Sequence, residues 1–562
     1  MTSGNEISRR SFLSRSAVAG GAVALGAGAS SVLAGCSSSP SASPGTPTSG
    51  SKPGVGTGTP VRGGSLTMAT VSEIDGFYPP ANHWDTTGFL YANAVYDPLM
   101  AVAADGTIKP YLAQSMTANS TFDTWTMTLR PGIKFNDGSS LTSAVVKANF
   151  DALKASILTG VALKQVVSVT TPDDMTLVYH LEAPNPNFPA GLTTQVGYVV
   201  GEAMIQASSN SGKAPTPIGT GPFMYASWQQ NDHFTATKNP NYWRSGLPYL
   251  DQITFKPIPD TVQRESTLRS GGVDMIQSAD ANTISRFSGS GGSGYQLVDT
   301  VTGVIGQPTL TYLLLNMLKP PTDDLRVRQA LAKATDQAQI QKIFAAGYGK
   351  PVNGLFLSGS PYYSSTGFPG FDPAGARSLV NEYKAQHGTP SLQLTTIPDP
   401  TAIKLVQIVQ QMWQQVGFNV SVNEVQQATI ISDFVTGSYQ AATVYQFGAV
   451  NPDLNYVWWS TTTVSPLGQI GLNFPRNSDP QIETALLTGR HTTDNATRIA
   501  AYQTVNERLA KDLPYIWIVQ QFFSEVAQDR VQNFANPTLP DGSPGYAFDE
   551  GIIKPTQIWL AG

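Results

Sequence analysis

The first 35 residues of this chain constrain how everything after them must fold. Arg9, Arg10 and Arg15 form a basic region, and an apolar run of Ala, Gly, Val and Leu follows from about residue 17 to residue 34. This order is typical of an export signal. The run is too short and too rich in Gly and Ser to supply the roughly 20 strongly apolar residues of a membrane span. The remaining chain is therefore expected to fold as an exported protein.

Two short motifs sharpen this prediction. Ser8-Arg9-Arg10-Ser11-Phe12-Leu13 resembles the twin-arginine motif, which exports folded proteins across the plasma membrane. Leu33-Ala34-Gly35-Cys36 resembles the bacterial lipobox, in which the cysteine is lipidated, for example with palmitate, and becomes the first mature residue. Two acyl chains are about what stable attachment needs. We expect Cys36 to anchor the protein at the outer face of the plasma membrane, and a buried structural cysteine is the alternative.

Composition limits the classes of protein that this chain can represent. Cys36 is the only cysteine, so an exported protein of this size holds together without an intrachain disulfide. Charged residues make up 13% of the chain and the formal net charge is −5, so there is no basic field to bind nucleic acid. The length after removal of residues 1–35 suits two or three lobes.

Residues 36–61 are rich in Pro, Ser and Gly, contain the single charge of Lys52 and lack aromatic residues. We expect them to form a flexible, lipid-anchored linker. Further on, apolar periodicity predicts a strand around Ile253 and Phe255, a helix over residues 261–269 and a strand over residues 273–276. A strand, a helix and a strand at this spacing favour a crossover unit in a parallel sheet, and hence an α/β fold.

The region around Trp125, Met127 and Leu129 has a different pattern, because these residues alternate with threonines. Turn sequences follow at residues 130–132 and 136–138. Such alternation is typical of antiparallel hairpins.

Ordered motifs spread along nearly the whole mature chain are specific as a set, although each is weak alone. They are Tyr96-Asp97-Pro98-Leu99, residues 125–138, Gly219-Thr220-Gly221-Pro222-Phe223, Asn239-Pro240-Asn241-Tyr242-Trp243, residues 325–331 and Ala334-Thr335-Asp336. Together they resemble the extracellular solute-binding proteins of the dipeptide, oligopeptide and nickel group (family 5), which serve ABC importers.

The resemblance implies a two-lobed fold of the periplasmic-binding-protein type, with an extra subdomain and a hinge between the lobes. Lobe I would comprise residues 62–95, 217–305 and 515–562, the extra subdomain residues 96–216, and lobe II residues 306–514. Such proteins close two lobes around a ligand. We therefore expect a monomeric receptor, not an enzyme and without a cofactor, that delivers a peptide-like or other small organic solute to the permease subunits of an ABC importer.

The candidate ligand-binding residues lie mainly in residues 444–459, the most aromatic stretch of the chain. Apolar walls with few polar groups suit a small-molecule pocket. On a strand, Trp458 and Trp459 would face opposite ways, so only one of them is expected to line a cavity. For each aromatic candidate, packing in the core is the alternative. The full set of candidates is Asp75, Phe77, Trp84, Tyr362, Tyr445, Phe447, Asn451, Asp453 and Trp458.

The same stretch departs from the peptide-binding relatives that it resembles, in which an aspartate pairs with the amino terminus of the peptide. That position corresponds here to Gly448 or Ala449, and Asn451-Pro452 replaces an Asp-Pro pair. A buried ammonium group without a partner costs several kcal/mol. We expect a ligand without a free α-amino group at this subsite, such as a blocked peptide, a glycan fragment or another neutral solute. Alternatively, Asp453 takes over the role from a shifted position.

Two other classes stay open. An exported hydrolase would need a nucleophile elbow, a His-Glu-x-x-His motif or clustered histidines and carboxylates. No Gly-x-Ser-x-Gly occurs, and the five histidines are scattered singly. A ligand-sensing lipoprotein without a transporter would share the fold, and neighbouring genes would separate it from a transport protein. Nickel and haem, which some members of the resembled family bind, gain little support from isolated histidines.

Overall fold

The computed structural model describes residues 53–82, 84–211, 216–300, 309–449, 451–546 and 551–562. The predictions for the signal segment, for Cys36 and for most of the linker lie outside these residues. Residues 51–562 form one unit with extensive internal contacts.

The strands are β1 (Ser65–Thr70), β2 (Met100–Val102), β3 (Ile108–Pro110), β4 (Ala113–Ala118), β5 (Thr124–Leu129), β6 (Val166–Asp173), β7 (Thr176–Leu181), β8 (Phe223–Gln229), β9 (His233–Lys238), β10 (Gln252–Pro257), β11 (Met275–Ser278), β12 (Tyr295–Asp299), β13 (Leu310–Leu315), β14 (Ser391–Thr396), β15 (Asn419–Glu424), β16 (Ala441–Gln446), β17 (Tyr515–Gln520), β18 (Ser524–Gln528), β19 (Val531–Gln532) and β20 (Trp559–Leu560). The α-helices are α1 (Thr86–Val95), α2 (Ser143–Ala155), α3 (Phe188–Gly191), α4 (Glu202–Ser211), α5 (Thr261–Arg269), α6 (Ala281–Phe287), α7 (Leu325–Ala334), α8 (Gln337–Ile343), α9 (Pro373–His387), α10 (Pro400–Gln415), α11 (Gln427–Thr436), α12 (Tyr456–Trp459), α13 (Pro480–His491) and α14 (Asn495–Asp512).

A seven-stranded sheet in the order β12-β18-β11-β1-β10-β9-β8 forms one half of the fold. Its central strand β1 pairs in parallel with β10 and with β11, and α5 connects these two neighbours. This arrangement confirms the predicted crossover unit. Leu66 and Met68 on β1 are fully buried, in a core that includes residues of α1.

A five-stranded sheet in the order β15-β14-β16-β13-β17 forms the other half. β14 runs parallel to both of its neighbours, and α10 connects it to β15. Every residue of β13 is buried, including Thr311, which interrupts its apolar sequence. β17, which the sequence analysis placed in lobe I, pairs with β13 in this sheet. The residue boundaries of the lobes stay a prediction.

A four-stranded antiparallel sheet, β4-β5-β7-β6, confirms the hairpins predicted around Trp125. Along β5, Trp125, Met127 and Leu129 are buried, because successive side chains of a strand point to opposite faces. A separate apolar core surrounds these residues and includes α2.

The end of the predicted linker packs on the folded unit. The amide of Gly54 donates to Gln296 Oε1 (2.9 Å), its carbonyl accepts from the amide of Ala535 (2.9 Å), and the amide of Thr57 donates to Gln532 Oε1 (3.0 Å). From residue 54 the chain is therefore tied to the seven-stranded half. Among the helices of the described ranges, none is long and apolar enough to cross a bilayer.

Candidate functional site

A cavity of about 1280 Å³ lies where residues that follow the strands of both large sheets meet. Ala279 and Asp280 follow β11 at its wall, Ile397 and Pro398 follow β14, and residues 447–449 follow β16. In α/β sheets the carboxyl ends of parallel strands are the usual ligand-binding edge. The volume exceeds the roughly 300–1,000 Å³ of a typical small-molecule pocket, so the cavity has room for an extended ligand.

Four helices of the described chain begin at this cavity with an aspartate cap that lines it, and the first of them is α1, capped by Asp85. Asp260 accepts from the amide of Gln263 at the start of α5 (2.7 Å). Asp280 caps α6 and also pairs with Arg286. Asp399 caps α10. The caps satisfy amides that lack a partner within the helix, so these carboxylates already serve the fold.

Arg264 also lines the cavity, but its guanidinium is engaged inside the protein. It is 1% exposed and donates to the carbonyls of Ile258, Pro259 and Gln277. Burial lowers its pKa to about 10, although nearby carboxylates oppose the shift. Arg264 therefore ties the loop before α5 to β11, and we assign it a structural role.

An apolar wall, which we define as Ile430, Ile431, Phe434 and Val435 of α11 together with Leu472 and Phe474, lines the cavity on the five-stranded side. The helical members lie at spacings of one and four residues, so they share one face of α11. This wall was not predicted, although the spacing of its helical members is visible in the sequence. The wall suits an aliphatic or aromatic group of a ligand.

The loop after β16 forms the rim beside this wall. Phe447 has φ +76°, a left-handed conformation that costs a bulky residue about 1–3 kcal/mol. Stacking of its buried ring on Tyr312, with centroids 5.1 Å apart and planes 4° apart, holds it there. Gly448 and Ala449, one of which is expected to correspond to the peptide-anchoring aspartate, follow directly and line the cavity.

Trp458 and Trp459 lie on the short helix α12, not on a strand. The preceding helical turn begins at Pro452 and is capped by Asn451, which favours helical geometry over a strand. Trp458 lines the cavity, with its ring 5.1 Å from that of Phe474. Trp459 is 2% exposed and packs on Phe447 at 5.3 Å.

Asp453 is not among the residues that line the cavity. It is buried, and its Oδ1 accepts from Arg490 Nε at 2.8 Å and lies 3.4 Å from Tyr502 Oη. Burial of Arg490 disfavours its charge, but the charge and hydrogen bond of Asp453, together with Tyr456 and Tyr502, outweigh this and raise the pKa of the guanidinium. The ring of Tyr456 covers the same guanidinium at 3.6 Å. Asp453 thus belongs to an internal ion pair.

The remaining candidates divide between the cavity and its surroundings. Trp84 and Tyr445 line the cavity, and Tyr445 is 49% exposed. Asp75 is exposed on its loop, and Phe77 is buried against Trp228. With Asp453, five of the nine candidates lie outside the lining, and the other four are Asp75, Phe77, Tyr362 and Asn451. Tyr362 packs on Tyr502 at 5.5 Å, and Asn451 Nδ2 donates to Asn187 Oδ1 at 2.9 Å. Whether any candidate contacts a ligand stays a prediction.

A family model, described as bacterial extracellular solute-binding proteins, family 5 Middle, matches residues 107–466. The chain belongs to this family. The glutathione-binding protein GsiB of Pectobacterium atrosepticum is 27% identical over 486 residues, which cover 81% of this chain and 88% of that protein. The fold is accordingly the two-lobed fold of family 5, and matched relatives named as binding proteins do not favour an exported hydrolase.

Solved structures with the same fold bind different ligands. AgaA from Agrobacterium tumefaciens R10, in complex with agropinic acid, has a TM-score of 0.77 and 23% identity, covering 89% of this chain and 99% of AgaA. The oligopeptide-binding protein AppA from Bacillus subtilis, in complex with a nonapeptide, has a TM-score of 0.78 and 19% identity, covering 90% of this chain and 100% of AppA. In the described part of the present chain, no group of three or more His, Cys, Asp or Glu side chains could hold a metal ion.

Proposed function

We propose that this protein is the lipid-anchored receptor of an ABC importer and that it captures a peptide-like solute without a free α-amino group at the rim subsite. The observation that carries the proposal is the pair Gly448 and Ala449, which line the cavity without a carboxylate. The nearby Asp453 is occupied by Arg490. A ligand ammonium group at this rim would be desolvated without a partner.

The carboxylates that do line the cavity in the described residues support this proposal, because each accepts a hydrogen bond from the protein. Glu73 accepts from the amides of Ile74 and Asn231, and Asp97 accepts from Trp243 Nε1 at 2.8 Å. The full set is Glu73, Asp85, Asp97, Asp260, Asp280 and Asp399. Asp85, Asp260, Asp280 and Asp399 are helix caps.

The ligands of the relatives set the range of chemistry to test. Glutathione, agropinic acid and a nonapeptide are named for three proteins of similar sequence or fold. The apolar wall of this chain adds a preference for a ligand with an aliphatic or aromatic group, since burial of an apolar side chain contributes about 1.5–3 kcal/mol. A blocked peptide that contains leucine lacks the free α-amino group and supplies the aliphatic side chain.

We expect N-acetyl-leucyl-alanine amide to bind the mature protein at least about a hundredfold more tightly than leucyl-alanine amide. The free peptide must bury an unpaired ammonium group, which costs several kcal/mol, and each 1.4 kcal/mol changes Kd about tenfold. Isothermal titration calorimetry of both peptides measures the ratio. Glutathione and agropinic acid belong in the same panel.

A carboxylate placed at the rim provides the matched control. Ala449→Asp should restore binding of the unblocked peptide, whereas Ala449→Asn, which has the same shape without the charge, should not. Tight binding of unblocked di- to pentapeptides by the unaltered protein would overturn the proposed ligand class.

Membrane anchoring is part of the same proposal and is supported by the Leu33-Ala34-Gly35-Cys36 motif. Cys36→Ala is expected to release the protein from membranes because it removes the acyl chains that provide attachment. It should leave ligand affinity unchanged, since every described residue that lines the cavity comes later in the chain. Fractionation of cells followed by calorimetry on the released protein checks both parts. Retention of the variant in washed membranes would count against the anchor.

A further inference from the structure

The cationic side chains that line the cavity are engaged by the protein itself. Within the described residues they are Arg244, Arg264 and Lys554. Arg264 is 1% exposed and donates to three backbone carbonyls and to Thr261 Oγ1. A guanidinium has five N–H groups, so only one of them is left without a bond to the protein. Arg264 is therefore poorly placed to bind a carboxylate of a ligand.

The other two cations are also held by the protein. Arg244 donates to Tyr111 Oη at 3.2 Å and to the carbonyl of Thr538 at 2.9 Å. Lys554 Nζ donates to Asn93 Oδ1 at 3.2 Å. A ligand carboxylate that paired with either of them would compete with these bonds.

The lining of the cavity is acidic in balance. In the described part of the chain it contains the six carboxylates given above and three cations. Like charges repel, and the repulsion grows as water is excluded from the space between them. An anionic ligand would therefore meet an excess of negative charge.

The helix starts at the cavity, which could otherwise attract an anion, carry aspartate caps. Amides at the start of a helix favour a nearby negative charge. Here the amides accept this charge from Asp260, Asp280 and Asp399, at distances of 2.7, 2.9 and 2.8 Å. Of the longer helices, α11 also begins beside the cavity, at Gln426, without a side-chain cap. Gln426 is exposed, so an anion there would remain in water.

Two of these capping carboxylates come from opposite halves of the fold. Asp260 precedes α5, which packs on the seven-stranded sheet, and Asp399 follows β14 of the five-stranded sheet. Both lie close enough to Arg264 to favour its charge, together with Glu265, against the larger effect of burial on its pKa. The negative charges of the two halves therefore act on the same part of the cleft.

We propose that the cavity selects against solutes with a free carboxylate, so that its ligand is uncharged at the carboxyl end as well, as in an amidated or cyclic peptide. This inference rests on the proposed function, because it narrows the ligand class of the same cavity. It separates the ligand of this chain from glutathione, which has two carboxylates and for which the relative GsiB is named.

Two probes that differ only at the carboxyl end test the proposal. They are N-acetyl-leucyl-alanine amide and N-acetyl-leucyl-alanine, which ends in a free carboxylate. At pH 7 the acid should bind the mature protein at least about tenfold more weakly than the amide, because its carboxylate is desolvated beside like charges and without a cation. Isothermal titration calorimetry measures both dissociation constants. Raising the salt concentration from about 0.05 to about 0.5 M should narrow their ratio, because salt screens the repulsion.

A paired substitution shows whether the capping carboxylates cause the discrimination. Asp260→Asn combined with Asp399→Asn removes two negative charges, and Asn caps a helix about as well as Asp. The ratio of the two dissociation constants should become at least about threefold smaller. Asp494→Asn is the matched control, because Asp494 is an exposed cap of α14 outside the cavity lining. It should leave the ratio at the value of the unaltered protein.

The other outcomes separate this inference from the proposed function. If the acid binds as tightly as the amide, and both bind more tightly than leucyl-alanine amide, this inference is overturned and the proposed function stands. A ratio that responds neither to salt nor to the paired substitution would also overturn it, because the discrimination would not come from these charges. Failure of both N-acetylated probes to bind would overturn the proposed ligand class, and this inference with it.

Discussion

Arg490→Met is expected to lower the free energy of unfolding by about 3–5 kcal/mol. The substitution leaves Asp453 buried without the cation that accompanies it, since the two side chains are 13% and 7% exposed and form a bond of 2.8 Å. The hydroxyl of Tyr502, at 3.4 Å from Oδ1, is too distant to replace the lost bond. Denaturant unfolding of the mature protein, followed by tryptophan fluorescence, measures the loss.

Two further variants show whether the loss comes from the uncompensated charge. Asp453→Asn combined with Arg490→Met should recover most of the stability, because the buried charge is then removed as well. Arg326→Met, in the more exposed pair of Arg326 with Asp324, is the matched control and should change stability little. If Arg490→Met left stability intact but abolished ligand binding, the pair would serve the ligand, and the assignment of Asp453 to the fold would fail.

Features that depend on the local sequence could be predicted, and contacts that form only on folding could not. The strand, helix and strand of residues 253–276 could be predicted because their apolar pattern is local, and because Gly271 and Gly272 end the helix before the second strand. The partner of Asp453 could not be predicted, because Arg490 lies 37 residues further on α13. Only folding brings that helix against the turn that contains Asp453.

For the candidate site, the sequence predicted which stretch contributes to it but not how the side chains are arranged. The aromatic character of residues 444–459 pointed to the stretch, and Tyr445, Phe447 and Trp458 do line the cavity. The left-handed conformation of Phe447 depends on its stacking with Tyr312, a residue far away in the sequence, and therefore leaves no local signature.

Glu525→Gln is expected to change how stability depends on pH, because Glu525 is fully buried on β18, an interior strand of the seven-stranded sheet. Within the described residues neither carboxylate oxygen has a hydrogen-bond partner. Burial raises the pKa of Glu525 well above its ordinary value, and the attraction of Arg264 only partly opposes this. The folded protein therefore retains a proton that the unfolded chain releases near its ordinary pKa of about 4.3.

The sign of the effect follows from the raised pKa. The stability contributed by protonated Glu525 is fully present below the pKa of the unfolded chain and is lost as the pH rises through the folded pKa. Between these two values the unaltered protein should lose about 1.4 kcal/mol per pH unit relative to Glu525→Gln, which has no proton to release. Unfolding of both proteins at a series of pH values above 4.3 measures the slope.

Glu525→Met extends the test to the polar atoms themselves, since it also removes the unsatisfied oxygens. It should be more stable than Glu525→Gln by about 1–3 kcal/mol, because an unpaired buried polar group carries its full desolvation cost. Neighbouring side chains on β11 and β12, Gln277 and Val298, can pack against the thioether without a change of backbone. A difference between the unaltered protein and Glu525→Gln that stays constant with pH would show that Glu525 is ionised when folded, and would require a cation beside it.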